Sequence, residues 1–146
     1  SLKFIEQSPQ IKSFNRKGDS PEVFIADNSE VFIDKIVEEV KSCQEKGLQS
    51  IGLICKTENN SICLYNKIKH KLDIQIIRNG SAAELQGVFI IPVYMSKGLE
   101  FDAVLICDAD SQNYHDEDDK NLLYVACTRA LHKLSLFCEN EVSPLI

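Results

Sequence analysis

The sequence has no tryptophan and a single methionine, Met95. No apolar run approaches the ~20 residues that a membrane-spanning helix requires, and the opening Ser1-Leu2-Lys3 has no signal-peptide architecture. With its only methionine deep in the chain, the sequence reads as an excised piece of a larger protein. Positive charge is also scarce: 16 Lys and Arg stand against 22 Asp and Glu, a net charge of −6. Neutralising phosphates supplies most of a nucleic-acid binder's affinity. Strong independent binding to DNA or RNA is therefore not expected, although a few contacts from one wall of a shared channel are compatible with this charge. The six cysteines, at 43, 55, 63, 107, 127 and 138, contain no CxxC pair. Cys55, Cys107 and Cys138 end or lie within apolar runs, where cysteine acts as a small hydrophobe. The expectation is a reducing cytoplasm, without structural disulfides or a bound metal.

What is present is an ordinary globular balance, 44% hydrophobic and 26% charged over 146 residues, enough for one domain with its own core. Short apolar runs alternate with helical patterns. Val23–Ala26 reads as a strand. Asp27, three residues before Glu30, resembles a capping-box start for a helix carrying Ile33, Ile36, Val37 and Val40, with Gly47 as its stop. Ile51–Cys55 is unbroken rather than alternating, as in a strand covered on both faces. A helix is expected from Ser61 to Leu72, with Leu64, Tyr65, Ile68 and Leu72 on one face. A short strand at Ile74–Ile77 then meets the turn signal Asn79-Gly80. Val88–Ile91 and Ala103–Cys107 are two further strands. A helix from Asp118 or Asp119 to about His132 carries Thr128 and Arg129, and Leu134–Cys138 is the last strand before a short polar tail. The expected architecture is α/β, a mostly parallel sheet with helices on both faces, 1–20 and 139–146 being extensions of a single domain spanning 1–146. Ligands of such sheets bind beyond the carboxyl ends of the strands, where the loop after Ile91 is expected to hold Lys97 to Glu100.

Two blocks carry chemistry. The first is Ser96-Lys97-Gly98-Leu99-Glu100-Phe101-Asp102, and the second is Leu122-Leu123-Tyr124-Val125-Ala126-Cys127-Thr128-Arg129-Ala130. An arginine near a helix end is ordinarily a solvated side chain, yet its fork of five donors suits phosphoryl oxygens. Together the blocks resemble motifs V and VI of the superfamily-one UvrD/Rep helicases, and the nearest branch is the HelD-like one of Gram-positive bacteria.

The resemblance implies a three-layer RecA-like domain, the P-loop NTPase fold without a P-loop of its own. It implies the C-terminal motor domain of an ATP-dependent DNA helicase or translocase. Arg129 would be catalytic, reaching the γ-phosphate, with Gly98, Glu100 and Thr128 beside it at the ATP. Tyr94, Ser96 and Lys97 would touch nucleic acid. ATP and Mg2+ would be the cofactors, with the P-loop and metal ligands on an N-terminal RecA-like domain, so that the chain alone is inactive. Single-stranded DNA would be the other partner. The family's gripping Thr-x-His is replaced by Pro92-Val93-Tyr94, and this departure points to the alternative, an ATP-driven factor that remodels RNA polymerase.

Two decoys are set aside. Val104–Asp108 resembles a magnesium-holding strand, but no Gly-x-x-x-x-Gly-Lys-Ser/Thr accompanies it, so Asp108 reads as a strand-end carboxylate. The acidic run His115–Asp119 reads as a solvated turn before a helix N-terminus, where negative charge is favourable. His70 and His132 read as surface residues.

Overall fold

Strands β1 (Glu22–Ala26), β2 (Ser50–Cys55), β3 (Gln75–Ile76), β4 (Gly87–Pro92), β5 (Phe101–Ile106) and β6 (Ala130–Glu139) alternate with helices α1 (Ser29–Glu45), α2 (Glu58–Ile68) and α3 (Glu117–Cys127). A 3-10 turn, Val93–Met95, follows β4. The structure, a computed structural model, describes residues 20–77 and 86–146. The Asn79-Gly80 turn and all but the last residue of the expected 1–20 extension lie outside them. The strands form one sheet in the order β1-β6-β5-β2-β4-β3, and every neighbouring pair is parallel. This is the α/β architecture expected.

Burial on both faces explains the unbroken apolar runs. All six residues of β2 are buried. One face packs against α1 and α2 through Ile36, Val40, Leu64 and Ile68. The other packs against α3 and the 3-10 turn through Leu123, Ala126 and Val93. Gly52 opens room on this second face: a Cβ there would come within 2.8 Å of the Phe101 ring. Among the described residues no helix is long and apolar enough to cross a membrane.

Several boundaries differ from the sequence reading. The cap of α1 is Asn28, one residue after Asp27, with its side chain accepting from the Val31 N–H at 2.9 Å. Gly47 is the expected stop, at φ +84°. Helix α2 is capped by Thr57 and spans Glu58–Ile68, so it begins and ends before the Ser61–Leu72 span expected. Apolar spacing marks only the buried face and misses a polar first turn. Helix α3 ends at Cys127, not near His132, because Phe101 at the start of β5 donates to the Arg129 carbonyl at 2.9 Å and recruits the chain into β6. The tail after β6 is not a free extension: Ser143 Oγ donates to the Tyr114 carbonyl at 2.6 Å, and Ile146 packs into the core.

One charge cluster is buried between α1 and the sheet. Lys133 of β6 lies 3.3 Å from Glu39 of α1 and 3.7 Å from Glu22 of β1. Burial alone would lower the Lys133 pKa, but Glu39 and Glu22 outweigh it and hold the ammonium above its ordinary value. Glu39 also accepts from Ser135 Oγ at 3.4 Å and lies 3.7 Å from Cys43 Sγ. Burial and Glu39 raise the Cys43 thiol to about 11. All six cysteines are unpaired, five of them buried.

Candidate functional site

Arg129 follows the last turn of α3, immediately before β6. Its half-buried guanidinium is fixed by oxygen acceptors. Nε donates to the Val125 carbonyl at 3.2 Å. Nη1 is shared between the Ser96 and Leu99 carbonyls at 3.4 and 3.5 Å, and Nη2 donates to Thr128 Oγ1 at 3.1 Å. No carboxylate among the described residues pairs with it. Since the fork has five N–H donors, part of its capacity remains unspent.

The two sequence blocks therefore meet, although Ser96 and Arg129 are 33 positions apart. Gly98, between the two carbonyls that hold Arg129, is exposed at φ +81°, a conformation glycine adopts without a Cβ penalty. Nothing among the described residues lies within 4 Å of where its Cβ would be. Lys97 and Glu100 are exposed beside it, and neither forms an ion pair among the described residues. Thr128 donates to the Val125 carbonyl at 2.8 Å while accepting from Arg129. Within this domain it orients the guanidinium.

Two expectations are corrected. Glu100 and Arg129 precede β5 and β6, so this cluster lies at the amino ends of those strands, not beyond the carboxyl ends. The chain leaves β4 at its carboxyl end and crosses the whole sheet before entering β5. Ser96 lies inside that crossing and is fully buried, its hydroxyl donating to the Val93 carbonyl at 2.6 Å. Its side chain does not reach a surface where a phosphate could meet it.

Tyr94 stands apart from Arg129, at the carboxyl end of β4. It is 55% exposed, and its hydroxyl donates to Glu58 of α2 at 3.0 Å. Across the same edge, Asp108 Oδ2 accepts from the Lys56 N–H at 2.7 Å and from Asn60 Nδ2 at 2.8 Å. Asn60 Nδ2 also donates to Asn113 Oδ1 at 2.9 Å. Lys56 Nζ pairs with Asp119 at 2.6 Å. Asp119 is thus not part of a solvated turn, as the acidic run had indicated: it is buried and completes a capping box with Asp116. Burial would raise its pKa, but the Lys56 ammonium and the His115 and Asp116 N–H groups bring it down to about 2. The sequence offered little sign of the contacts that Lys56 and Asn60 make with Asp108, Asn113 and Asp119, about 50 positions or more away. Only a lysine and a carboxylate directly after apolar strands hinted at them.

Burial raises the Asp108 carboxyl from 3.8 to about 6, against the lowering effect of Lys56 and Asn60. Its buried Oδ1 faces the buried Tyr114 hydroxyl, which also lowers the Asp108 pKa, and neither atom has another hydrogen-bond partner among the described residues. A carboxyl harder to ionise when folded favours the fold below its unfolded pKa, and that contribution is lost as pH rises through about 6. Asp108→Asn should therefore raise stability by about 1–3 kcal/mol at neutral pH, with the gain vanishing towards pH ~4. Urea midpoints of both proteins across this range check it; a gain independent of pH would contradict the assignment.

Residues 87–137, which span both blocks, match the model of the UvrD-like helicase C-terminal domain. The solved C-terminal domain of a possible DNA helicase from Lactobacillus plantarum WCFS1 superposes with a TM-score of 0.83 at 32% identity, covering 95% of this chain and 89% of that one. Saccharomyces cerevisiae Dbp5 bound to RNA and ADP BeF3 gives 0.60 at 12% identity, over 83% of this chain and 36% of that one. The C-terminal domain of the DEAD-box protein Dbp5 gives 0.56 at 12% identity, over 89% and 79%. At that identity the Dbp5 structures share the fold alone. No curated protein matches the sequence significantly. With a relative 32% identical over nearly its whole length, and a match to the family across both arginine-site blocks, this chain belongs to the UvrD-like helicase C-terminal domain family.

Proposed function

We propose that this chain is the second motor domain of an ATP-driven superfamily-one helicase or translocase, in which Arg129 faces the γ-phosphate of ATP held by an N-terminal RecA-like domain of the same protein. The observation that carries this reading is the guanidinium itself: four oxygen acceptors fix it, no carboxylate among the described residues neutralises it, and part of its donor capacity is unspent. A cation immobilised before charge develops is what phosphoryl transfer requires. Exposed Gly98 and Glu100 flank it and would line the same nucleotide, while Thr128 orients the fork. Bound ATP supplies the phosphoryl group that is transferred. The sequence contains no P-loop, so phosphate-cradling amides and magnesium ligands are assigned to the other domain.

Nucleic acid is assigned to Tyr94, whose exposed ring can stack on a base, and to Lys97. Val93 is buried at the head of the 3-10 turn, so this segment presents one aromatic where the family's pattern has two polar gripping groups. That difference favours a second reading, a HelD-like factor whose ATP cycle acts on RNA polymerase. Phosphate release by the full-length protein separates the two. On the helicase reading, single-stranded DNA accelerates release severalfold; a rate indifferent to DNA and RNA but raised by RNA polymerase selects the remodelling factor.

A further inference from the structure

A cavity of about 300 Å³ opens at the carboxyl edge of the sheet, between α1 and α2, over the ends of β2, β5 and β6. The cluster around Arg129 lies at the opposite ends of β5 and β6. The cavity also sits where the chain diverges. From β2 it runs through α2 towards β3 and β4; from adjacent β5 it runs through α3, on the other face, towards β6. Open α/β sheets receive ligands at such a divergence.

The walls define what fits. Among the described residues, three carboxylates, Asp108, Asp110 and Glu139, line the cavity against one ammonium, Lys67. Asp110 is held rigidly, its Oδ1 accepting from the Gln112 and Asn113 N–H groups and from Asn113 Nδ2, which leaves Oδ2 for a ligand. Glu139 forms no ion pair among the described residues. Asp108 is only 8% exposed and is tied through Oδ2 to Asn60 of the same wall. Phe32, Ile33 and Leu64 supply an apolar wall. This charge repels phosphates, and the wall favours a hydrocarbon stem over a hydrated metal ion.

We propose that this cavity is a second ligand site, independent of the nucleotide, that takes an alkylammonium group: the carboxylates of Asp110 and Glu139 hold the cation, and Phe32 with its apolar neighbours holds the stem. The group comes from a free diamine or from a lysine side chain of a docking protein, and the test separates these sources. The 15N-labelled chain is titrated with 1,4-diaminobutane and, separately, with Nα-acetyl-lysine N-methylamide, each to about 10 mM, because ligands this small bind in the ~mM range. The expected result is saturable shifts of the Asn60 and Asn113 side-chain amides with at least one probe, the tighter probe naming the source. Binding should weaken at least tenfold in Asp110→Asn/Glu139→Gln and tighten severalfold in Lys67→Glu, which keeps the test informative if the double variant fails to fold. Absence of saturable shifts with both probes, or equal affinity in the variants, overturns the proposal.

Discussion

Replacing Arg129 by alanine in the full-length protein should lower ATP turnover by ~10³–10⁵ while leaving nucleotide affinity largely intact. The guanidinium acts on charge that develops during transfer, so its loss falls on kcat and not on binding. Arg129→Lys should rescue little, because a lysine cannot reproduce a fork that engages Val125, Thr128, Ser96 and Leu99 and still has donors to spare. Steady-state phosphate release by wild type and both variants, with binding of a fluorescent nucleotide measured in parallel, decides it. Near wild-type hydrolysis in Arg129→Ala would remove the arginine from the mechanism. The 146-residue chain alone, without a P-loop, should release no phosphate.

The largest effect on stability is expected at Lys133. Removing its ammonium in Lys133→Met leaves Glu39, whose side chain is 5% exposed, as a buried charge with Ser135 and Cys43 as its hydrogen-bond partners among the described residues. Breaking one half of such a pair costs about 3–5 kcal/mol, which corresponds to a fall in Tm on the order of 10–15 °C for a domain of this size. Replacing both partners by apolar residues removes the stranded charge, so Lys133→Met/Glu39→Leu should recover most of the loss. Urea unfolding of the wild type, the single variant and the double variant measures the coupling. A double variant no more stable than Lys133→Met would show that the pair is not what holds α1 to β6.

The sheet was legible in the sequence wherever burial on both faces produced an unbroken apolar run, as in β2, β4 and β5. The opening of β6 was not. Leu131 and His132 are exposed, a bulge interrupts the pairing between Phe101 and Ala103, and backbone pairing, not side-chain pattern, defines this stretch as strand. The same limit applies to the site. Contiguous motif matching singled out Gly98, Glu100, Thr128 and Arg129, but three of the four acceptors that fix the guanidinium are main-chain carbonyls. These carry no residue signature, so neither the buried state of Ser96 nor the orienting role of Thr128 could be read in advance. The move of the cluster to the amino ends of β5 and β6 was hidden for a related reason: a chain that crosses a sheet in a few residues looks, in sequence, like any other loop.

That crossing also constrains chain length. The eight residues between Pro92 and Phe101 span the height of the six-residue strand β2, ~20 Å at ~3.3 Å per residue. Three are wound into a 3-10 turn rising ~2 Å each. Ser96–Leu99 close a turn, the Leu99 N–H donating to the Ser96 carbonyl at 3.0 Å, and the ends of that turn lie less than ~7 Å apart, so the segment has little slack. Deleting one residue would have to be absorbed by slipping β5 against β6, which turns buried side chains to the wrong face, or by drawing the Leu99 carbonyl away from Arg129. Inserting one would let Tyr94 shift without moving Leu99. Variation in the number of residues here is therefore constrained as tightly as variation in their identity.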